Sequence, residues 1–150
     1  VPHCLSAAPQ WKVLAAAATL LCLAVAPPLL RAHGDALASL AIAAFFSRLC
    51  HQQAARSLLL FGTPVAVCAR CLGIYAGATL GSLLRLKHPA ALRLLGFAVA
   101  LNAIDVAAES CGLHGNLPLM RLALGGALGL AAGAMLSAKE QAAPRLASRL

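Results

Sequence analysis

Long apolar runs free of Asp, Glu, Lys and Arg dominate this chain, at residues 13–30, 36–47, 71–84, 94–104 and 122–138. A helix that crosses a bilayer needs roughly 20 mostly apolar residues, with charges tolerated near its ends. That rule places transmembrane helices near 12–31, 68–87, 89–109 and 118–138. The run 36–47 has the length of a short half-inserted or interfacial helix instead. The expected fold is therefore all-α: an integral membrane bundle of about four transmembrane helices plus that short helix, forming a single membrane domain over 1–150.

Composition closes off the other classes. The chain is 61% hydrophobic and 11% charged, whereas a soluble domain carries about 25% charged residues. A soluble globule and a disordered chain are excluded on that ground. The formal charge of +8 does not indicate a nucleic-acid binder, because the basic residues punctuate apolar runs and form no polar face. The expected partner is the lipid bilayer, with no nucleic acid. A signal peptide is the alternative for the first run, yet Pro27-Pro28 near its end and the lack of a small-x-small cleavage site favour a retained helix.

Orientation follows from Lys and Arg in short connections. Arg85, Lys87 and Arg93 form the densest basic cluster, and the tail carries Lys139, Arg145 and Arg149. Residues 85–93 and the tail are expected on the cytoplasmic side of a prokaryotic plasma membrane. The loop 48–67 and the turn near 110–117 then lie outside. The side of the N-terminus depends on whether 36–47 spans.

Gly73, Gly77 and Gly81 recur every fourth residue, as do Gly125, Gly129 and Gly133. Each trio shares one helix face, where a second backbone can approach closely. Packing within the chain is the first expectation, with the two helices parallel. Homo-oligomerisation through the same faces is the alternative.

Of the six cysteines, Cys50, Cys68, Cys71 and Cys111 fall on the outer side of this topology, with His51 and His114. Two-residue spacers, as in Cys68-Ala69-Arg70-Cys71 and Cys111-Gly112-Leu113-His114, let two side chains converge on one ion. Thiolate and imidazole donors suit zinc. Adjacent Cys50 and His51 cannot easily both bind the same ion. Cys68 and Cys71 at a helix start, with Arg70 beside them, also suit reactive thiol chemistry. A purely structural cluster, disulfide or free thiol, is the third option.

Ionisable groups in a membrane segment are costly and pair or line a polar cavity. Asp105 and Glu109 share one helix face, and Arg70 and Arg121 stand at a similar depth, so Asp105 is expected to pair with Arg121 or Arg70. Asn102 and Asn116 are further candidates for that network. Between Arg56 and Cys68, the arms 57–61 and 65–67 around Gly62-Thr63-Pro64 predict a small hairpin returning Cys50-His51 towards Cys68.

The run Cys50-His51-Gln52, then Arg56-Ser57, Phe61-Gly62 and Val67-Cys68-Ala69-Arg70-Cys71-Leu72-Gly73-Ile74-Tyr75 with Gly77, resembles the signature of the domain of unknown function 2085 family, small polytopic membrane proteins of bacteria and archaea. The likeness continues through Asp105, Gly112, Asn116, Arg121, Gly125-Gly126 and Gly129, covering about residues 45–135. It implies membership and no established activity. It carries over Cys50, His51, Arg56, Cys68, Arg70, Cys71, Tyr75, Asp105 and Arg121, whereas Cys111 and His114 lie outside the pattern.

The leading functional expectation is a non-enzymatic membrane protein whose extracytoplasmic Cys/His cluster holds a metal ion, zinc first, in a structural role. A thiol-disulfide oxidoreductase using Cys68 and Cys71 is the alternative. Its layout looks like that of quinone-linked membrane enzymes such as the disulfide-bond protein B and vitamin K epoxide reductase families, with quinone as cofactor. A small accessory or transport protein, using Arg56, Arg70, Asp105, Glu109 and Arg121 as a polar network, is the third. No motif names a substrate.

Overall fold

The described chain is built of α1 (Gln10–Ala32), α2 (Ala36–Phe46), α3 (Ala69–Ser82), α4 (His88–Ser110) and α5 (Pro118–Ala147). The computed structural model describes residues 10–147 except 85, 114 and 116. The all-α membrane-type bundle expected from the apolar runs is the architecture found. Three helical segments, Trp11–Ala32, His88–Ser110 and Pro118–Ala138, are long and apolar enough to cross a membrane. At 1.5 Å per residue each covers the roughly 30 Å of a hydrocarbon core. Phe97, Ile104 and Leu119 on these helices point outward, an arrangement suited to acyl chains. Cys22 also faces outward.

The expected helix 68–87 is shorter. α3 has 14 residues, about 21 Å of helix, and does not reach across a bilayer alone. Its end is tightened by hydrogen bonds from Leu83 N–H to Leu80 O and from Leu84 N–H to Gly81 O. The Ser137 hydroxyl, arriving from α5, donates to Ser82 O at 3.0 Å and satisfies one of the carbonyls a helix end leaves open. Pro89, at the start of α4, sits where a missing N–H costs nothing.

α3 runs parallel along α5, and the two glycine trios face each other's helix. A Cβ on Gly77 would lie 2.1 Å from Gly126 O, and one on Gly129 would lie 2.0 Å from Ile74 O. Only hydrogen fits at such positions. α4 runs antiparallel to α5, pinned where the Asn102 side-chain amide donates to Leu124 O at 3.0 Å. Asn102 therefore serves helix packing, and Asn116 lies outside the described residues. The starts of α3 and α5 and the end of α4 gather at one end of the bundle. The basic connection around Lys87 lies at the other.

The register of this packing sets the depth of the cysteines. Gly125, two turns into α5, touches Arg70 O in the first turn of α3. α3 thus begins about 10 Å below the start of α5, and the loop 47–68 descends to fill the space above it. The loop is thus partly folded into the bundle. Val65, Ala66 and Val67 are buried, and non-helical backbone is tolerated at such depth only where its polar groups find partners.

Those partners come from every side. A proline at position 28 of α1 has no N–H to give the carbonyl four residues earlier, that of Ala24. The freed Ala24 O accepts from Ala66 N–H at 3.0 Å. Ala66 O in turn accepts from Gln52 Nε2 at 2.8 Å, and the same amide donates to Ala43 O of α2 at 2.6 Å. Gln52 reaches both with its backbone at φ 47, a sparsely populated region for a side chain of its size. The expected hairpin is present with a shifted turn. Leu59–Leu60 (β1) pairs antiparallel with Thr63–Pro64 (β2) around Phe61-Gly62, whose φ values of 52 and 73 match the primed turns that join tight hairpins.

α2 folds back on α1 after a turn at Gly34 (φ 86), with the Asp35 carboxylate accepting Ala38 N–H at 3.0 Å as N-cap. At 11 residues it keeps the short, non-spanning length expected of it. Phe46 at its end is fully buried and stacks obliquely on Tyr75 of α3, 6.0 Å between centroids. Together with Ala24, Cys50, Val65, Ala66, Val67 and Leu72 it forms the apolar core beneath the cysteines.

Candidate functional site

Two separate chain segments bring three sulfurs together. Cys68 caps α3 in extended conformation and Cys71 follows one turn later, which puts both thiols on the same side of the helix start. Cys50 comes from the turn closing α2, where its N–H bonds to Phe46 O at 2.8 Å, and its buried sulfur accepts Cys68 N–H at 3.3 Å. The Sγ atoms of Cys50, Cys68 and Cys71 all lie within 4.8 Å of one another. Cys68, outside the helix proper, has its pKa lowered, chiefly because its sulfur accepts a hydrogen bond from the Cys71 thiol, against the opposing effect of burial.

The expected Cys/His set is thus narrowed. His51 stands outside the trio: its neighbour Cys50 turns into the core, and the imidazole is left exposed. Cys111 closes α4 as an exposed thiol and also stands apart. His114 lies outside the described residues.

Behind the trio the charged side chains are paired. Arg70 bonds Asp105, which is almost wholly buried. Arg70, one of the two arginines expected as partners of Asp105, makes an ion pair with it. Glu109, one turn further along α4, bridges Arg56, at 3.0 Å, and Arg121. This bridge was not foreseen, although the four-residue spacing of the two acids was the sequence signal for it. Removing one member of a buried pair leaves the other uncompensated, at about 3–5 kcal/mol.

A cleft of about 200 Å³ opens over the trio. The three cysteines line it together with Leu49, His51, Gln53, Arg56, Arg70 and Arg121. Its polar lining therefore presents three cations and no carboxylate. Gln52 also borders it. Its role has no signal in the Cys50-His51-Gln52 motif, because its two backbone acceptors, Ala43 O and Ala66 O, lie 9 and 14 positions away.

The sequence pattern of the family described as predicted membrane protein (DUF2085) matches residues 50–135, more than half of the chain. An uncharacterized protein of Methanocaldococcus jannaschii is 46% identical over 46 residues, which is 31% of this chain and 30% of that protein. The similarity thus spans less than a third of that relative's length. No solved structure matches. The family match starts at Cys50 and encloses the sulfur trio, both acids and Arg121; the chain belongs to the DUF2085 family of predicted membrane proteins.

Proposed function

We propose that this is a multi-pass membrane protein in which Cys50, Cys68 and Cys71 hold a metal ion, zinc, that staples the inserted loop to the start of α3. The observation that carries the reading is the convergence of three sulfurs from two distant segments within 4.8 Å. Zinc–sulfur bonds of 2.3 Å in tetrahedral geometry separate sulfurs by about 3.8 Å, so binding needs only a small contraction. The charge balance agrees. Three thiolates around a divalent ion carry one negative charge, and Arg56, Arg70 and Arg121 exceed Asp105 and Glu109 by one positive charge. Loaded site and ion-pair network together are neutral.

In this reading the protein lies in a prokaryotic plasma membrane with the sulfur trio extracytoplasmic. Lys87, Arg93 and the basic tail support the opposite end as cytoplasmic. A membrane-impermeant maleimide should therefore label exposed Cys111 in intact cells, and labelling only after lysis would reverse the orientation. The metal reading is tested by elemental analysis of the purified chain with thiol counting before and after chelation. One zinc per chain and the release of three thiols support it.

The closeness of the Cys68 and Cys71 sulfurs at the start of α3 favours one second reading, a membrane thiol-disulfide oxidoreductase. Two thiols would form a disulfide and release two electrons and two protons, which a quinone takes up as the quinol. A metal-free chain with a reversible Cys68–Cys71 disulfide would support this reading over the first.

A further inference from the structure

Three sulfurs are one donor short of a closed zinc site. The cleft of about 200 Å³ shares Cys50, Cys68 and Cys71 with the trio, so an ion held by these sulfurs sits in its wall. Zinc sites with three protein ligands keep the fourth position for water or an added ligand. Arg56, Arg70 and Arg121 line the same cleft, each also paired with Asp105 or Glu109, and no acid is in the lining among the described residues. Arg70 also has a buried Nε that donates to no acceptor among the described residues. Guanidinium groups present donors in a fork that matches carboxylate and phosphate oxygens. The cleft has room for a small oxyanion.

We infer that the fourth coordination position is open to the cleft and takes a small oxyanion, one oxygen on the metal and the others on the arginines. The inference rests on the metal reading of the trio. The step is a ligand exchange: a metal–water bond breaks, a metal–oxygen bond to the anion forms, and nothing is oxidised or reduced. The site is then a receptor for a carboxylate or phosphate group rather than a closed staple.

Cobalt(II) substitution of the full chain in detergent tests this, because sulfur-to-cobalt charge transfer reports the trio and the ligand-field bands report the fourth ligand. Acetate or inorganic phosphate should shift the ligand-field bands saturably, and whichever acts at the lower concentration identifies the oxyanion class. Arg56→Gln, compared at equal cobalt loading, should weaken that response roughly tenfold or more, the worth of a charge-assisted contact. Absence of any sulfur-to-cobalt band would sink the metal reading and this inference with it. A normal sulfur band with ligand-field bands indifferent to both anions would overturn the inference alone. If His51→Ala then made the bands responsive, His51 would be the fourth ligand of a closed site.

Discussion

Gly77→Ala adds one methyl group where the structure leaves room for none. The new carbon would sit 2.1 Å from Gly126 O and 2.8 Å from Leu130 N, against an ordinary contact of about 3.4 Å or more. Backbone atoms cannot swing aside, so α3 and α5 must part by more than about 1 Å. Overpacking of this kind costs about 1–3 kcal/mol, while replacing glycine by alanine inside a helix returns about 0.5–1 kcal/mol. Overpacking wins, and the expected net loss is about 1–2 kcal/mol. Gly96→Ala in α4 is the matched control, since a Cβ there meets nothing within 4 Å and only the helix gain remains. The assay is reversible denaturant unfolding of purified protein in detergent, followed by circular dichroism. The two variants should move in opposite directions, separated by roughly 2 kcal/mol. If Gly77→Ala were as stable as Gly96→Ala, the close contact of α3 and α5 would be wrong.

Two other substitutions probe the end that carries the cysteines. Pro28→Ala supplies an N–H that competes for Ala24 O: the helix gains up to about 3 kcal/mol in propensity, against about 1–3 kcal/mol for stranding buried Ala66 N–H. Global stability should hold or rise while amide exchange at Ala66 accelerates, and unchanged exchange there would refute the role given to Pro28. Asp105→Asn leaves Arg70 without its counter-charge and should cost about 3 kcal/mol in the same unfolding assay, with most of it recovered in the Arg70→Met, Asp105→Leu double variant. A loss under about 0.5 kcal/mol, the range of ordinary surface changes, would refute the buried pair.

How far the sequence could be read depended on the range of each interaction. The charge-free runs marked α1, α4 and α5, because lipid exposure constrains each helix by its own composition. The glycine spacing marked the faces of α3 and α5 for the same local reason. The early end of α3 was not legible, since residues 83 and 84 are as apolar as the helix they follow and the cap comes from Ser137, 55 positions away. The recess above α3 was hidden likewise: it arises from the offset between Arg70 and Gly125, which no local pattern encodes. The role of Pro28 had a readable signal in the missing N–H, but its beneficiary, Ala66, had none. At the site, cysteine spacing pointed to Cys68 and Cys71, and the outer-side topology with the predicted hairpin added Cys50. Adjacency already argued against Cys50 and His51 binding one ion together, and His51 is left exposed at the rim of the cleft that Cys50 lines.

The central claim, three sulfurs holding one metal ion, meets its most direct test in the zinc content of the full chain purified under reducing conditions without chelator. The account predicts one zinc per chain, lost on Cys50→Ser and retained on Cys111→Ser, because Cys50 belongs to the trio and Cys111 stands apart. A chain without stoichiometric metal, or one whose metal survives Cys50→Ser and leaves with Cys111→Ser, would contradict it.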